Sequence, residues 1–220
     1  KYKLAKIKFF PPTYQNKNII FQKLTKGSYL RPIKLSELNK DIFKNIKTVI
    51  IILSSLNNKK MNLSKYLLNS FDKNKKDKLN SFIINSSISI LKKYHKENIK
   101  LSLTHGDFKF EHLFLVNNRI DYLIDWENVG IRSVFFDLFN FFVPWFVKRN
   151  FKYFEIKNHI LNFVKNYLKN LMKNIENKYD MYFYIFVIER YKRINYERYS
   201  NFDKNRAFKR FNFLFKKLIN

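Results

Sequence analysis

From Lys34 to about Leu56, apolar residues recur at three- and four-residue spacing: Leu35, Leu38, Ile42, Ile46, Val49, Ile50 and Leu53. That period predicts an amphipathic helix with Ser36 as its cap. Ahead of it, Asn18-Ile19-Ile20-Phe21-Gln22 is a short β-leaning run, and residues 1–26 read as strands broken by Pro11-Pro12. Residues 57–77 are polar and rich in Lys and Asn, which predicts a loop holding one short helix near Leu63–Leu68. A second helix is expected over about 77–97. At Leu101 the pattern changes. Leu113–Val116 and Ile120–Ile124 are apolar runs separated by Asn117-Asn118-Arg119, and because Asn tolerates positive φ this predicts a tight β-hairpin. After Gly130 the helical period returns. Asp137–Val147 is strongly apolar, and 151–172, 179–199 and 203–219 predict three more helices, whose Phe and Tyr stripes read as core. No internal repeat is present.

Composition narrows the class. The chain has 220 residues, is 46% hydrophobic and contains 25 Phe and 14 Tyr, enough for a large core and unlike a disordered chain. No run approaches the uncharged apolar length of a membrane helix, so no membrane span is expected. With no Cys there is no disulfide and no thiolate nucleophile, which suits a cytoplasmic location. The formal charge of +27 has two readings: a polyanionic partner, or an AT-rich coding sequence that enriches Lys and Asn while depleting Gly, Pro and Ala. The lysines are scattered rather than gathered on one face, which favours the second. A scattered positive field still attracts nucleotides and other phosphates.

Against that bias the exceptions carry information. Only Gly27, Gly106 and Gly130 are glycine, so each is expected where a Cβ does not fit or φ must be positive. Of 17 acidic residues, six lie between positions 107 and 137: Asp107, Glu111, Asp121, Asp125, Glu127 and Asp137. A locally anionic segment in so basic a chain predicts a cation site.

The segment with the most chemistry is His105-Gly106-Asp107-Phe108-Lys109-Phe110-Glu111-His112, then the hairpin, then Ile124-Asp125-Trp126-Glu127. Protein kinases place a catalytic base in a His-x-Asp loop, with a metal-binding Asn five residues on and a second, Mg²⁺-holding Asp beyond a hairpin. Here the hairpin returns Asp125 to the neighbourhood of Asp107, so two carboxylates converge where phosphates and a divalent cation would sit. With Asp137-Leu138 downstream, the stretch Thr104–Phe142 resembles the aminoglycoside phosphotransferase and choline kinase superfamily. A weaker likeness covers Ile19–Leu56, where Gln22–Gly27 looks like the hinge and its glycine.

The resemblance implies an α+β, protein-kinase-like fold: a mostly helical C-lobe over 27–220, with a catalytic-loop hairpin, and a short remnant of the N-lobe sheet and hinge over 1–26. It implies ATP-dependent (or GTP-dependent) transfer of the γ-phosphoryl group to a hydroxyl of a sugar, amino alcohol or glycoside, with Mg²⁺ or Mn²⁺. In that scheme Asp107 is the catalytic residue facing the acceptor hydroxyl, Asp125 holds the metal, and His112 stands where the commoner ligand is Asn. Gln22 and Leu24 in the hinge would contact the nucleotide. His105, Gly106 and Asp137 support the loop, with Asp137 bracing it through backbone donors. Residues 1–21 are too few for a whole small lobe, so the chain is expected to be either a piece of a longer protein or one with a degenerate small lobe. Two rivals remain: a non-catalytic kinase-like binding module, and a basic nucleic-acid-binding protein that charge alone supports. No motif for specific nucleic-acid contact is present.

Overall fold

The computed structural model describes residues 13–16, 19–22, 28–29, 40–56, 58–70, 82–116, 119–196 and 201–219. Its central element follows from the most apolar stretch of the sequence. Helix α4 (Phe136–Val147) has twelve residues, and all but Pro144 are buried. A helix apolar all round can only be satisfied by neighbours on every side. Helix α1 (Lys40–Ser55) contributes a stripe of Ile46, Val49, Ile50 and Leu53, all buried, and its Phe43 ring meets Phe142 of α4 at 6.4 Å. Helix α5 (Tyr153–Tyr167) meets the same Phe142 through Phe163 at 5.0 Å. Helix α7 (Tyr179–Tyr196) sets Phe183 and Phe186 against Phe139, at 5.9 and 5.5 Å. Helix α8 (Asn201–Ile219) closes over α7, with Phe215 5.9 Å from Phe186.

Among the described residues the strands form three antiparallel sheets. β1 (Thr13–Asn16) and β2 (Ile19–Gln22) pair as a hairpin. β4 (Lys59–Asn62), β5 (Asn98–Thr104) and β8 (Gly130–Ser133) make a second sheet with β5 central. β6 (Leu113–Val116) and β7 (Arg119–Leu123) form the hairpin that the sequence predicts, and β3 (Ser28–Tyr29) adds to the β6 edge. The pairing Leu113↔Leu123 sets its register, and a bulge falls between Phe114 and Leu115. The remaining helices are α2 (Leu63–Ser70), α3 (Phe82–Leu91) and α6 (Lys169–Ile175). The fold class is the expected one: mostly helical, with small antiparallel sheets.

Several elements differ from expectation, each for a physical reason. β5 and β8 show no alternating pattern. Leu101–Thr104 is buried on both faces, and Gly130-Ile131-Arg132-Ser133 is too short and mixed to have a period. They are strands because they pair with each other, Leu101↔Ser133 through Thr104↔Gly130. The polar stretch after α1 likewise contains β4, which pairs Lys59 with Leu101. The single helix expected over 151–172 is two, because Leu168 leaves the helical region (φ −125°, ψ 42°) between α5 and α6. Among the described residues no helix is long and apolar enough to cross a membrane.

Core packing around α4 gives a direct check. Phe139 is fully buried, whereas Phe154 on α5 is 68% exposed. In urea denaturation Phe139→Ala is expected to cost about 3–5 kcal/mol, and Phe154→Ala no more than about 0.5 kcal/mol.

Candidate active site

β5 delivers the chain to the site. Beyond Thr104 the backbone turns sharply at Gly106, whose φ of +86° disfavours any side chain. A Cβ there would lie 2.1 Å from the carbonyl oxygen of Asn128, a backbone atom that cannot rotate aside. Glycine is therefore required at this point of the loop. At Gly130 an added Cβ would meet only the Arg132 guanidinium, at 3.1 Å. Gly27 lies outside the described residues.

The turn is fixed by buried polar groups of α4. The Asp137 carboxylate accepts the backbone N–H of His105 at 2.7 Å and that of Gly106 at 3.0 Å. One turn further on, the Asn140 side-chain amide donates to the Phe108 carbonyl at 3.0 Å, and its Oδ1 accepts from Arg190 of α7 at 2.8 Å. Arg193, one turn after Arg190, donates to the Gly106 carbonyl at 2.6 Å and reaches Asp107 Oδ1 at 3.4 Å. Two helices thus hold the loop by its main chain. Burial pushes the Asp137 carboxyl up to about 6, against the pull of the two backbone donors and of Arg132.

His105 is fully buried inside the loop. A carbonyl can only accept, so Nε2, 2.8 Å from Ile124 O, carries the proton. Nδ1 then accepts the Asp107 N–H at 3.3 Å. Burial lowers its pKa to about 3, so the ring is neutral at physiological pH. This neutral imidazole ties the Asp107 backbone to the strand end that leads into Asp125.

The hairpin register supplies the remaining groups. The ladder continues one step past Leu113↔Leu123, with Ile124 N–H donating to His112 O at 3.0 Å. His112 is thereby held beside Asp125. Asp125 has φ +64° and ψ +55°, a left-handed conformation that Asp tolerates better than most residues. His112 Nδ1 donates to the Asp107 carbonyl at 2.8 Å. Its Nε2 stands 3.0 Å from Asp125 Oδ2. In a neutral ring that contact opposes a lone pair to a carboxylate, and only a proton or a cation between them makes it favourable. One ligand atom from each of Asp107, His112 and Asp125 falls within 4.8 Å of the others.

Asp107 is bonded by Lys109 Nζ at 2.8 Å. Burial raises its pKa, but the Lys109 hydrogen bond and the charges of Arg193 and Lys109 outweigh burial and hold it at about 2. It is a carboxylate at every physiological pH.

The structure brings together Asp107, His112 and Asp125, with His105, Gly106 and Asp137 around them. Two nominations remain, both in the hinge. Gln22 ends β2, and Leu24 falls outside the described residues. Lys109, Asn140, Arg190 and Arg193 were not singled out from the sequence. Asn140 had a readable signal, as the one polar residue besides Asp137 in the apolar run of α4. The arginines had none, because basic residues are everywhere in this chain.

The profile of the phosphotransferase enzyme family (APH) matches residues 76–158, a segment that includes the loop and the hairpin. In structure the chain is similar to a thermostable mutant of aminoglycoside phosphotransferase APH(4)-Ia in its apo form, at 12% identity over 94% of this chain and 77% of that one, TM-score 0.55. A ternary complex of a thermostable mutant of the same enzyme with ADP and hygromycin B gives the same identity and coverage, with TM-score 0.56. Choline kinase LicA from Streptococcus pneumoniae is similar at 16% identity over 96% of this chain and 76% of that one, TM-score 0.50. No curated protein matches the chain in sequence. The chain shares its fold with these aminoglycoside phosphotransferase and choline kinase structures.

The Asp137 brace has a pH signature. Its folded-state value of about 6 lies above the ordinary 3.8, so it favours the folded chain most below pH 4, and that contribution is lost as pH rises through about 6. In urea denaturation the stability of the wild type relative to Asp137→Asn should fall by about 2 kcal/mol between pH 4 and pH 7. A pH-independent difference would mean that Asp137 is not held in this buried state.

Proposed function

We propose that this chain carries the catalytic lobe of a phosphotransferase that moves the γ-phosphoryl group of ATP or GTP to a hydroxyl of a small molecule. The observation that carries this reading is the convergence of Asp107, His112 and Asp125 within 4.8 Å. The likeness over residues 76–158 and the shared fold support it.

The donor set fits a divalent cation. The His112 Nε2 lone pair and the Asp125 carboxylate, 3.0 Å apart, are both ligand atoms that lack a favourable partner in each other. A mixed nitrogen and oxygen set favours Mn²⁺ over Mg²⁺, which prefers oxygen alone. Asp125 and His112 would hold the metal, and a bound metal would neutralise charge on the nucleotide phosphates.

Asp107 faces the acceptor. A carboxylate with a pKa of about 2 is a weak base, so its first task is to accept a hydrogen bond from the hydroxyl and align it. Phosphoryl transfer passes through a loose transition state, in which the hydroxyl becomes acidic only as its bond to phosphorus forms. The acceptor oxygen then bonds to Pγ and the bond from Pγ to the bridging oxygen breaks. The nucleoside diphosphate leaves with that electron pair, and the hydroxyl proton passes to Asp107. Lys109 and Arg193 keep Asp107 ionised and oriented, and His105 and Asp137 hold the loop that bears it. Gln22 and Leu24 are the hinge positions proposed to contact the nucleotide base.

The two acids have separable signatures. Asp107→Asn should leave nucleotide affinity nearly intact while turnover falls at least about 10²-fold, as expected for loss of a positioned base. Asp125→Asn should weaken metal-dependent nucleotide binding as well as rate. Calorimetry with ATP and Mn²⁺, paired with a coupled assay for ADP, separates the two. Unchanged transfer in both variants would remove these carboxylates from the active site. Nucleotide binding without transfer to any hydroxyl would favour a non-catalytic kinase-like module instead.

A further inference from the structure

A cavity of about 950 Å³ opens beside Asp107, between the catalytic loop, α4, α7 and α8. Its apolar surface comes from Phe110, Phe141, Pro144 and Trp145, with Phe213 and Leu214 from α8. Ile124, Asn140 and His112 also line it, and much of the remaining wall is basic: Lys148 and Arg149 at the end of α4, Arg190 on α7, and Lys209 and Arg210 on α8, in addition to Lys109. Two carboxylates line the same space, Asp107 and Glu111. Asp107 is already engaged by Lys109 and Arg193.

This concentration is not explained by the scattered lysines of the chain. The sequence contains nine arginines, and three of them line this cavity while a fourth, Arg193, touches Asp107. Two of the three are fixed in place. Arg149 lies over the Trp145 ring at 4.1 Å and donates to the Trp145 carbonyl, and Arg190 donates to Asn140. Lys148, Lys209 and Arg210 are exposed at the rim and form no ion pair among the described residues. Preset guanidinium groups beside exposed cationic side chains suit carboxylate or phosphate oxygens, and they repel a cation brought to the same wall.

We propose that the acceptor is an anionic hydroxyl compound, a sugar or polyol bearing a carboxylate or phosphate, whose anionic group rests on this basic wall while a hydroxyl faces Asp107. The inference rests on the phosphotransferase reading and narrows its substrate class. Amino alcohols and aminoglycosides carry the wrong charge for the cavity. The transfer step is the one given above, with the nucleotide as the phosphoryl donor.

The test uses probes of matched shape and different charge: glucose 6-phosphate and gluconate, neutral glucose, and cationic glucosamine, together with inorganic phosphate as a minimal anion. Binding is read by calorimetry without nucleotide, and transfer by ADP formation with ATP and Mn²⁺. Wild type is compared with Lys148→Glu/Lys209→Glu, two exposed positions where the chain should fold normally. Inorganic phosphate and at least one sugar anion should bind saturably, more weakly as salt rises, and glucosamine should not. The double variant should weaken anion binding about tenfold or more, and should raise KM for any anionic acceptor that is turned over while leaving kcat and KM for ATP unchanged. Preference for glucosamine, absence of any saturable anion site, or a rise in KM for ATP alone would overturn the proposal, the last by assigning these cations to the nucleotide. Loss of ATP binding and of all transfer in wild type would instead refute the phosphotransferase reading, and the phosphate titration would still decide the character of the wall.

Discussion

The candidate site depends on one buried carboxylate. Asp137, 4% exposed, receives the N–H groups of both His105 and Gly106 from within the most apolar helix of the chain. Placing a carboxylate there is costly, several kcal/mol before compensation. Each backbone bond to a charged acceptor returns about 1.5–3 kcal/mol, and without Asp137 two buried donors would be left unsatisfied. The balance holds only while the loop keeps its turn, and the turn is possible only with glycine at 106. The position of Asp107, one residue further on, follows from that pairing.

The same helix couples chemistry to recognition. Asp137 and Asn140 on one face of α4 hold the loop, while Phe141, Trp145 and Lys148 further along it line the cavity. Helix α7 repeats the arrangement, with Arg193 on the loop carbonyl and Arg190 both on Asn140 and in the cavity wall. A change in how α7 packs on α4 would therefore disturb the position of Asp107 and the shape of the cavity together. The hairpin is tied to the loop that these helices hold, through His105 on Ile124 O and His112 on Asp107 O. Its register sets His112 beside Asp125.

What could be read in the sequence was what has a short-range cause. The helix of Asp137–Val147, the β6–β7 hairpin and the pairing of Asp107 with Asp125 across it follow from period, turn chemistry and spacing. Gly106 stood out because the chain otherwise avoids glycine. β5 and β8 were hidden because their strand character comes from pairing across about 30 residues rather than from alternation. Arg190 and Arg193 were hidden for another reason: in a chain with 44 basic residues, a functional arginine has no local contrast. Asn140 did have contrast, in an apolar helix with Asp137 three residues before it.

The central claim is that His112 and Asp125 together hold the metal that carries the nucleotide. Electron spin-echo spectroscopy of Mn²⁺ bound with ATP tests it directly, because one spectrum reports nitrogen and phosphorus neighbours of the same ion. The account predicts coupling to nucleotide phosphorus and to one imidazole nitrogen, with the nitrogen signal lost in His112→Asn and the phosphorus signal retained. Phosphorus coupling with no nitrogen coupling in the wild type would contradict it.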